Sequence, residues 1–111
     1  MTGNEYQKLA ERTMDIKNLT PAELEMHALH GMVGEIGEIH SIYQKVYQEH
    51  HFDDGHAMKE VGDLLWFIAE YCTSRGLTLE EVMQMNIDKL TARYPEGFDS
   101  QHSLFRAEGD I

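Results

Sequence analysis

The sequence predicts an all-α protein, a bundle of four main helices, and three observations carry that prediction. Apolar residues recur at intervals of three and four along most of the chain. Two Thr-x-x-Glu segments, Thr20–Glu23 and Thr78–Glu81, read as capping boxes that open helices. No segment alternates apolar and polar residues as a half-buried strand would.

Taken in order, Tyr6, Leu9, Thr13 and Ile16 mark one face of a first helix, expected from about residue 3 to residue 17. Pro21 follows the Thr20 cap at the first helical position, where its missing N–H costs nothing. From there Leu29, Met32, Val33, Ile36, Ile39, Tyr43 and Tyr47 form the expected core stripe of a second helix reaching about Gln48. The segment His50–Gly55 breaks the pattern, and Asp53 or Asp54 is a suitable N-cap for a third helix. Its core face is read as Ala57, Val61, Leu64, Leu65, Ile68 and Cys72, with Arg75-Gly76 ending it. The Thr78 box opens a fourth helix through Val82, Met83, Ile87 and Leu90, which Pro95 stops, holding Tyr94 extended. Residues 96–111 read as a polar tail carrying Phe98, Leu104 and Phe105.

A chain of 111 residues is expected to form one domain, residues 1–111. A hydrophobic content of 41% argues against disorder. The net charge of −11, with no basic stripe, disfavours binding to nucleic-acid backbones. No apolar run is long enough for a bilayer, and MTGNEYQKLAER lacks the basic start and apolar stretch of a signal peptide. With a single cysteine, Cys72, no internal disulfide is available, and a cytoplasmic setting is expected.

Two acidic pairs stand at i,i+3: Glu35 with Glu38, and Glu60 with Asp63. Twenty acidic residues produce such pairs by chance, so placement decides. Positions i and i+3 lie about 60° apart and about 4.5 Å along the axis, close enough for two carboxylates to share one cation. Glu60, Asp63, Phe67 and Tyr71 fall in one stripe beside the apolar face of Ala57, Leu64 and Ile68, whereas solvated acids usually lie opposite such a face. Glu35 and Glu38 share a flank with Ala28, Gly31 and Ile42. Gly31, Gly34 and Gly37 add a glycine series to that helix, each costing about 1 kcal/mol relative to alanine. Close approach of a helix or a ligand is the expected reason, and Gly62 beside Asp63 repeats it. Half-exposed acids paired with lysine or arginine are the plainer reading. Oxygen donors without a thiolate favour a hard ion, magnesium or manganese.

Asn86, Lys89 and Arg93 recur beside the apolar stripe of the fourth helix. Snorkelling of basic side chains at a helix end explains this spacing by itself; opposite an acidic metal site, the same residues become phosphate clamps.

These residues resemble the MazG-like all-α nucleotide pyrophosphohydrolases. The signature is ExxE followed by ExxD, here Glu35–Glu38 and Glu60–Asp63 in the context VGEIGEIH and MKEVGDLLWFIA. Downstream, Asn86-Ile87-Asp88-Lys89-Leu90-Thr91-Ala92-Arg93-Tyr94-Pro95 resembles the N-x-x-KL-x-x-R-aromatic-P segment, so the likeness spans roughly residues 20 to 98. The resemblance implies Mg²⁺-dependent cleavage of a (deoxy)nucleoside triphosphate between its α and β phosphates, as in nucleotide-pool cleaning. It also implies a homodimer or dimer of dimers that completes the bundle across subunits. Carried over, Glu35, Glu38, Glu60 and Asp63 are metal ligands, Lys89 and Arg93 bind phosphates, and Asn86 assists near the metal or sugar. Phe67 packs against the base or, equally, serves the core. Glu38 is the favoured general base.

Other chemistries fit less well. Glu-x-x-His pairs, His-Glu-x-x-His, P-loop and GxGxxG cradles are all absent. His27 and His30, at i,i+3, could bind a transition metal, though a packed or solvent-facing role suits them better. The main alternative is a non-enzymatic helical interaction protein whose 7 methionines suit an adaptable surface.

Overall fold

A computed structural model describes residues 1–111 and contains no strands. Helix α1 spans Gly3–Ala10, opened by a reciprocal capping box between Thr2 and Glu5, and passes into a 3-10 turn at Glu11–Thr13. It is shorter than the expected 3–17. Thr13 turns its hydroxyl back onto the Ala10 carbonyl (3.1 Å) and accepts the indole N–H of Trp66 (2.8 Å), which favours a turn over a further helical bond. The buried face also differs from the expected one. Gln7, Ala10 and Met14 are buried, while Leu9 and Ile16 stay about half exposed.

Helix α2 (Pro21–Val46) starts at the Thr20–Glu23 capping box, and α3 (Asp54–Ser74) starts at Asp53, whose side chain accepts from the His56 N–H. The pairs His27–Glu70 and Glu35–Glu60 show that α2 and α3 run antiparallel. Gly76, at φ +67°, lets α3 end in a Schellman turn, with Leu77 N–H donating to the Cys72 carbonyl and Gly76 N–H to Thr73. Cys72 is buried on the core face, as its position predicted, and burial raises its thiol pKa.

Helix α4 (Leu79–Arg93) is fixed by its first turn. The N–H of Glu81 meets Thr78, that of Leu79 meets the side-chain Oε1 of buried Gln7 (2.6 Å), and that of Glu80 meets Asn4 Oδ1 (3.1 Å). Gln7 also donates to Thr73 and to the Leu77 carbonyl, each at 3.0 Å. The orphan donors of one helix are thus satisfied by side chains of another. Beyond that anchor, residues 83–89 are exposed. The region read as a polar tail holds a short helix, α5 (Ser100–Leu104), capped by Asp99.

The expected core stripes are covered only in part. Leu24, Ala28 and Ile42 are the buried residues of α2, whereas Leu29, Val33, Ile36, Tyr43 and Tyr47 are exposed. Val61 and Leu65 on α3, and Met83 and Ile87 on α4, are likewise exposed. The reason is geometric: α2 packs along α3, α1 lies against α3 and α4, and no element covers the opposite face of α2. The Cα radius of gyration is 17.3 Å, against about 13 Å for a compact domain of this length. No helix is long and apolar enough to cross a membrane.

Candidate metal centre

The antiparallel α2–α3 pair brings Glu35, Glu60 and Asp63 together, each offering a carboxylate oxygen within 4.8 Å of the others. Glu38 does not join this trio; it is exposed, and its charge acts on Glu35 only through space. Glu35 is half-buried, and its Oε2 is buried with no hydrogen-bond partner. Glu60 faces Glu35, and its Oε1 lies 3.2 Å from His56 Nε2. No lysine or arginine makes an ion pair with the trio, so the plainer reading of these acids as surface ion pairs does not describe them.

Two carboxylates in hydrogen-bonding contact cannot both be charged cheaply. The Glu35 carboxyl is therefore pushed up to about 7, chiefly by its hydrogen bond to Glu60, then by burial and by the charges of Glu60, Asp63 and Glu38. The arrangement calls for a proton or for a cation. In the cation-free protein, the folded state holds the Glu35 proton more tightly than the unfolded state does. Stability should then fall as pH rises from 4.5 to about 7, the interval between the ordinary and the folded value. Saturating Mg²⁺ should reverse that slope, because the cation binds the deprotonated acid. Thermal melts across this range, in chelator and in Mg²⁺, check both halves.

Of Gly31, Gly34, Gly37 and Gly62, only Gly31 marks a close approach. A Cβ on Gly31 would lie 2.1–2.5 Å from three ring carbons of Phe67. Phe67 thus seats in a notch on α2, edge-on to Trp66 (5.0 Å) and tilted against His27 (5.7 Å). Gly34, Gly37 and Gly62 have nothing within 4 Å. The expectation of close helix approach fails for those three within a single chain.

No hydrogen bond or ion pair joins the α4 residues to the acids of their own chain. Asn86 and Lys89 are exposed on the projecting part of α4. Arg93 is held by the C-terminal segment, its Nε and Nη2 both donating to Asp110 at 2.8 Å, with a further bond to the Ile111 carbonyl. This pair raises the Arg93 pKa and lowers that of Asp110. Lys89, Arg93, His102, Phe105 and Asp110 line a cavity of about 400 Å³ there.

One feature escaped the sequence reading. The side chain of Glu70 is 1% exposed, in the middle of the fold, and its two oxygens sit 2.8 and 3.0 Å from His27 Nδ1. His27 is therefore paired with α3 rather than with His30. Glu70 follows Asp63 by seven residues, nearly two full turns, and that spacing is the signal that could have found it.

Residues 25–98, two-thirds of the chain, match the family described as MazG nucleotide pyrophosphohydrolase domain. No curated protein and no solved structure gives a significant match.

Proposed function

The chain belongs to the MazG nucleotide pyrophosphohydrolase domain family, and on that premise we propose that it hydrolyses (deoxy)nucleoside triphosphates to the monophosphate and pyrophosphate with Mg²⁺. The observation that carries this reading is the convergence of Glu35, Glu60 and Asp63 around a buried carboxylate oxygen that has no donor. Three hard oxygen donors with no lysine or arginine paired to them suit Mg²⁺, with Mn²⁺ able to substitute. Glu35, Glu60 and Asp63 would hold the ion, with Glu38, three residues from Glu35, available as a fourth ligand. The chemistry a divalent ion supplies there is neutralisation of the triphosphate and polarisation of the phosphoryl group under attack.

Glu38, exposed and outside the trio, is the carboxylate free to take a proton from the attacking water. Lys89 and Arg93 would carry the charge of the departing pyrophosphate, and Asn86 would contact the sugar or the inner phosphates. Arg93 can do so only once Asp110 releases it. Phe67 would offer its ring to the base.

Because Asn86, Lys89 and Arg93 make no hydrogen bond or ion pair with the acids of their own chain, these roles favour a homodimer or a dimer of dimers. The uncovered α2 face of Met26, Leu29, Val33, Ile36 and Tyr43, spaced as one helical stripe, is the surface that fits a second copy. Val33, 73% exposed in the single chain, tests this. Val33→Glu should weaken self-association at least about tenfold, since it places an unpaired charge in an apolar contact, while helicity is kept. Sedimentation across a concentration series reads the change.

The activity itself is tested by incubating the protein with Mg²⁺ and a panel of ribo- and deoxynucleoside triphosphates. Equal yields of monophosphate and pyrophosphate are the expected result. Orthophosphate with a diphosphate product would place the cleavage at the other bond, and no turnover on the whole panel would overturn the reading.

A further inference from the structure

A carboxylate buried in a small helical protein is costly unless it is hydrogen-bonded, and the side chain that meets Glu70 is His27. The pair is asymmetric. The side chain of Glu70 is 1% exposed and that of His27 is 53% exposed. Both Glu70 oxygens lie within 3.0 Å of His27 Nδ1, so that nitrogen carries the hydrogen and donates it. The imidazole is thereby fixed in tautomer and direction, while Nε2 makes no hydrogen bond within the chain. A buried acid that aims a half-exposed histidine is the arrangement by which proteins prepare an imidazole for a ligand.

The position of the pair along the α2–α3 groove says which part of a ligand it would meet. Going back from Glu35 to His27 is eight residues on α2, about 12 Å; going on from Asp63 to Glu70 is seven on α3, about 10.5 Å. Asp63 and Glu70 differ by only about 20° around α3, while Glu35 and His27 differ by about 80° around α2. On α3 the two polar sites therefore share one flank, about two turns apart. Between them sits Phe67, locked in the Gly31 notch and 5.7 Å from the His27 ring. The order along the groove is carboxylates, aromatic ring, oriented imidazole. A nucleotide with its phosphates at the carboxylates would carry its base past Phe67 towards His27.

We propose that His27, held by Glu70, is the residue that reads the edge of the substrate's nucleobase, with Glu70 as its positioning residue. The inference rests on the triphosphate reading above and goes beyond it by assigning base selection. With Nδ1–H given to Glu70, Nε2 of the neutral ring is a hydrogen-bond acceptor. It therefore selects bases that carry an amino group at purine C6 or pyrimidine C4, adenine and cytosine, over guanine, uracil and thymine, which carry a carbonyl there.

The test compares wild type, His27→Ala and Glu70→Gln on four deoxynucleoside triphosphates with Mg²⁺, separating kcat from KM. Wild type should prefer adenine and cytosine. His27→Ala should lower kcat/KM for those bases about tenfold or more, through KM, and leave the others nearly unchanged, because only the former lose a partner. Glu70→Gln should compress selectivity in the same direction but less, since the amide oxygen still accepts from Nδ1–H. Imidazole ¹H–¹⁵N spectra give a reading that needs no turnover: the His27 Nε2 signal should shift on adding deoxyadenosine or deoxycytidine monophosphate without metal. An equal loss on all four substrates together with a lower Tm would make the pair purely structural and overturn the proposal. So would selectivity that survives in His27→Ala, a wild type that favours guanine, uracil or thymine or no base, or an Nε2 signal that neither monophosphate moves. If wild type turns over no nucleotide, the triphosphate reading falls first and this assignment with it; the other failures leave that reading standing.

Discussion

Asp63→Asn is expected to stop nucleotide turnover and, at the same time, to stabilise the cation-free protein. Asp63 is one of three carboxylates within 4.8 Å of one another, and no lysine or arginine offsets their charge. Its charge helps to raise the Glu35 pKa, so part of the cost of folding comes from bringing these acids together. Removing one charge relieves that repulsion, and the melting temperature in chelator should rise. The same change removes a ligand. Partners outside the ligand shell are commonly worth ten- to a hundredfold in affinity or activity, so losing a direct ligand should cost at least about a hundredfold. Mg²⁺ should also stop raising the melting temperature of the variant, although it does so for wild type. The two opposite signs make the experiment decisive. A surface acid with no cation would give a small stability change and unaltered turnover; a purely structural acid would give a less stable protein.

The helices were legible in the sequence because their ends are local chemistry. Thr20–Glu23 and Thr78–Glu81 form the reciprocal caps expected of them, and Asp53 caps α3. Three of the four acids singled out by i,i+3 spacing meet, because Glu60 and Asp63 share one flank of α3 and face Glu35, while Glu38 stays outside. What local pattern cannot supply is the partner of each face. The stripe through Leu29, Val33, Ile36 and Tyr43 is as apolar as a core stripe, yet it is exposed, because periodicity gives amphipathicity without saying which molecule covers it. The first helix was misread for a related reason. Gln7, a polar residue, occupies its buried face because it serves three groups around the α3–α4 turn: the Leu79 N–H, the Leu77 carbonyl and the Thr73 hydroxyl are tied to a single side chain. Glu70 was missed because its seven-residue spacing from Asp63 marks a shared flank but not its burial, which follows only when His27, 43 residues earlier, is placed against it. The Arg93–Asp110 pair is similarly non-local, and it shows a residue assigned to phosphate occupied by a carboxylate of its own chain.

Gly31→Ala and Gly34→Ala should move stability in opposite directions, although the two glycines are one turn apart on the same helix. The helical propensity term is the same for both, a gain of about 1 kcal/mol for alanine. At Gly34 nothing lies within 4 Å of the added methyl, so the gain should appear almost undiminished in denaturant unfolding. At Gly31 the methyl would stand 2.1–2.5 Å from three carbons of the Phe67 ring. Phe67 cannot simply turn aside, because its ring meets Trp66 edge-on and His27 at a tilt. Either the ring leaves the notch or α2 moves off α3, and overpacking of this kind costs about 1–3 kcal/mol. Gly31→Ala should therefore be less stable than wild type despite its better helix propensity. The displacement also reaches function, since Phe67 lies between the carboxylates and His27 and the same helices carry both. Turnover of Gly31→Ala should fall even at temperatures where the variant is fully folded. A smaller residue at 67 should rescue the packing: in Gly31→Ala/Phe67→Leu the stability loss should be less than the sum of the two single changes. Additive losses would mean that the notch does not hold the ring, and with it would go the account of why α2 carries a glycine there.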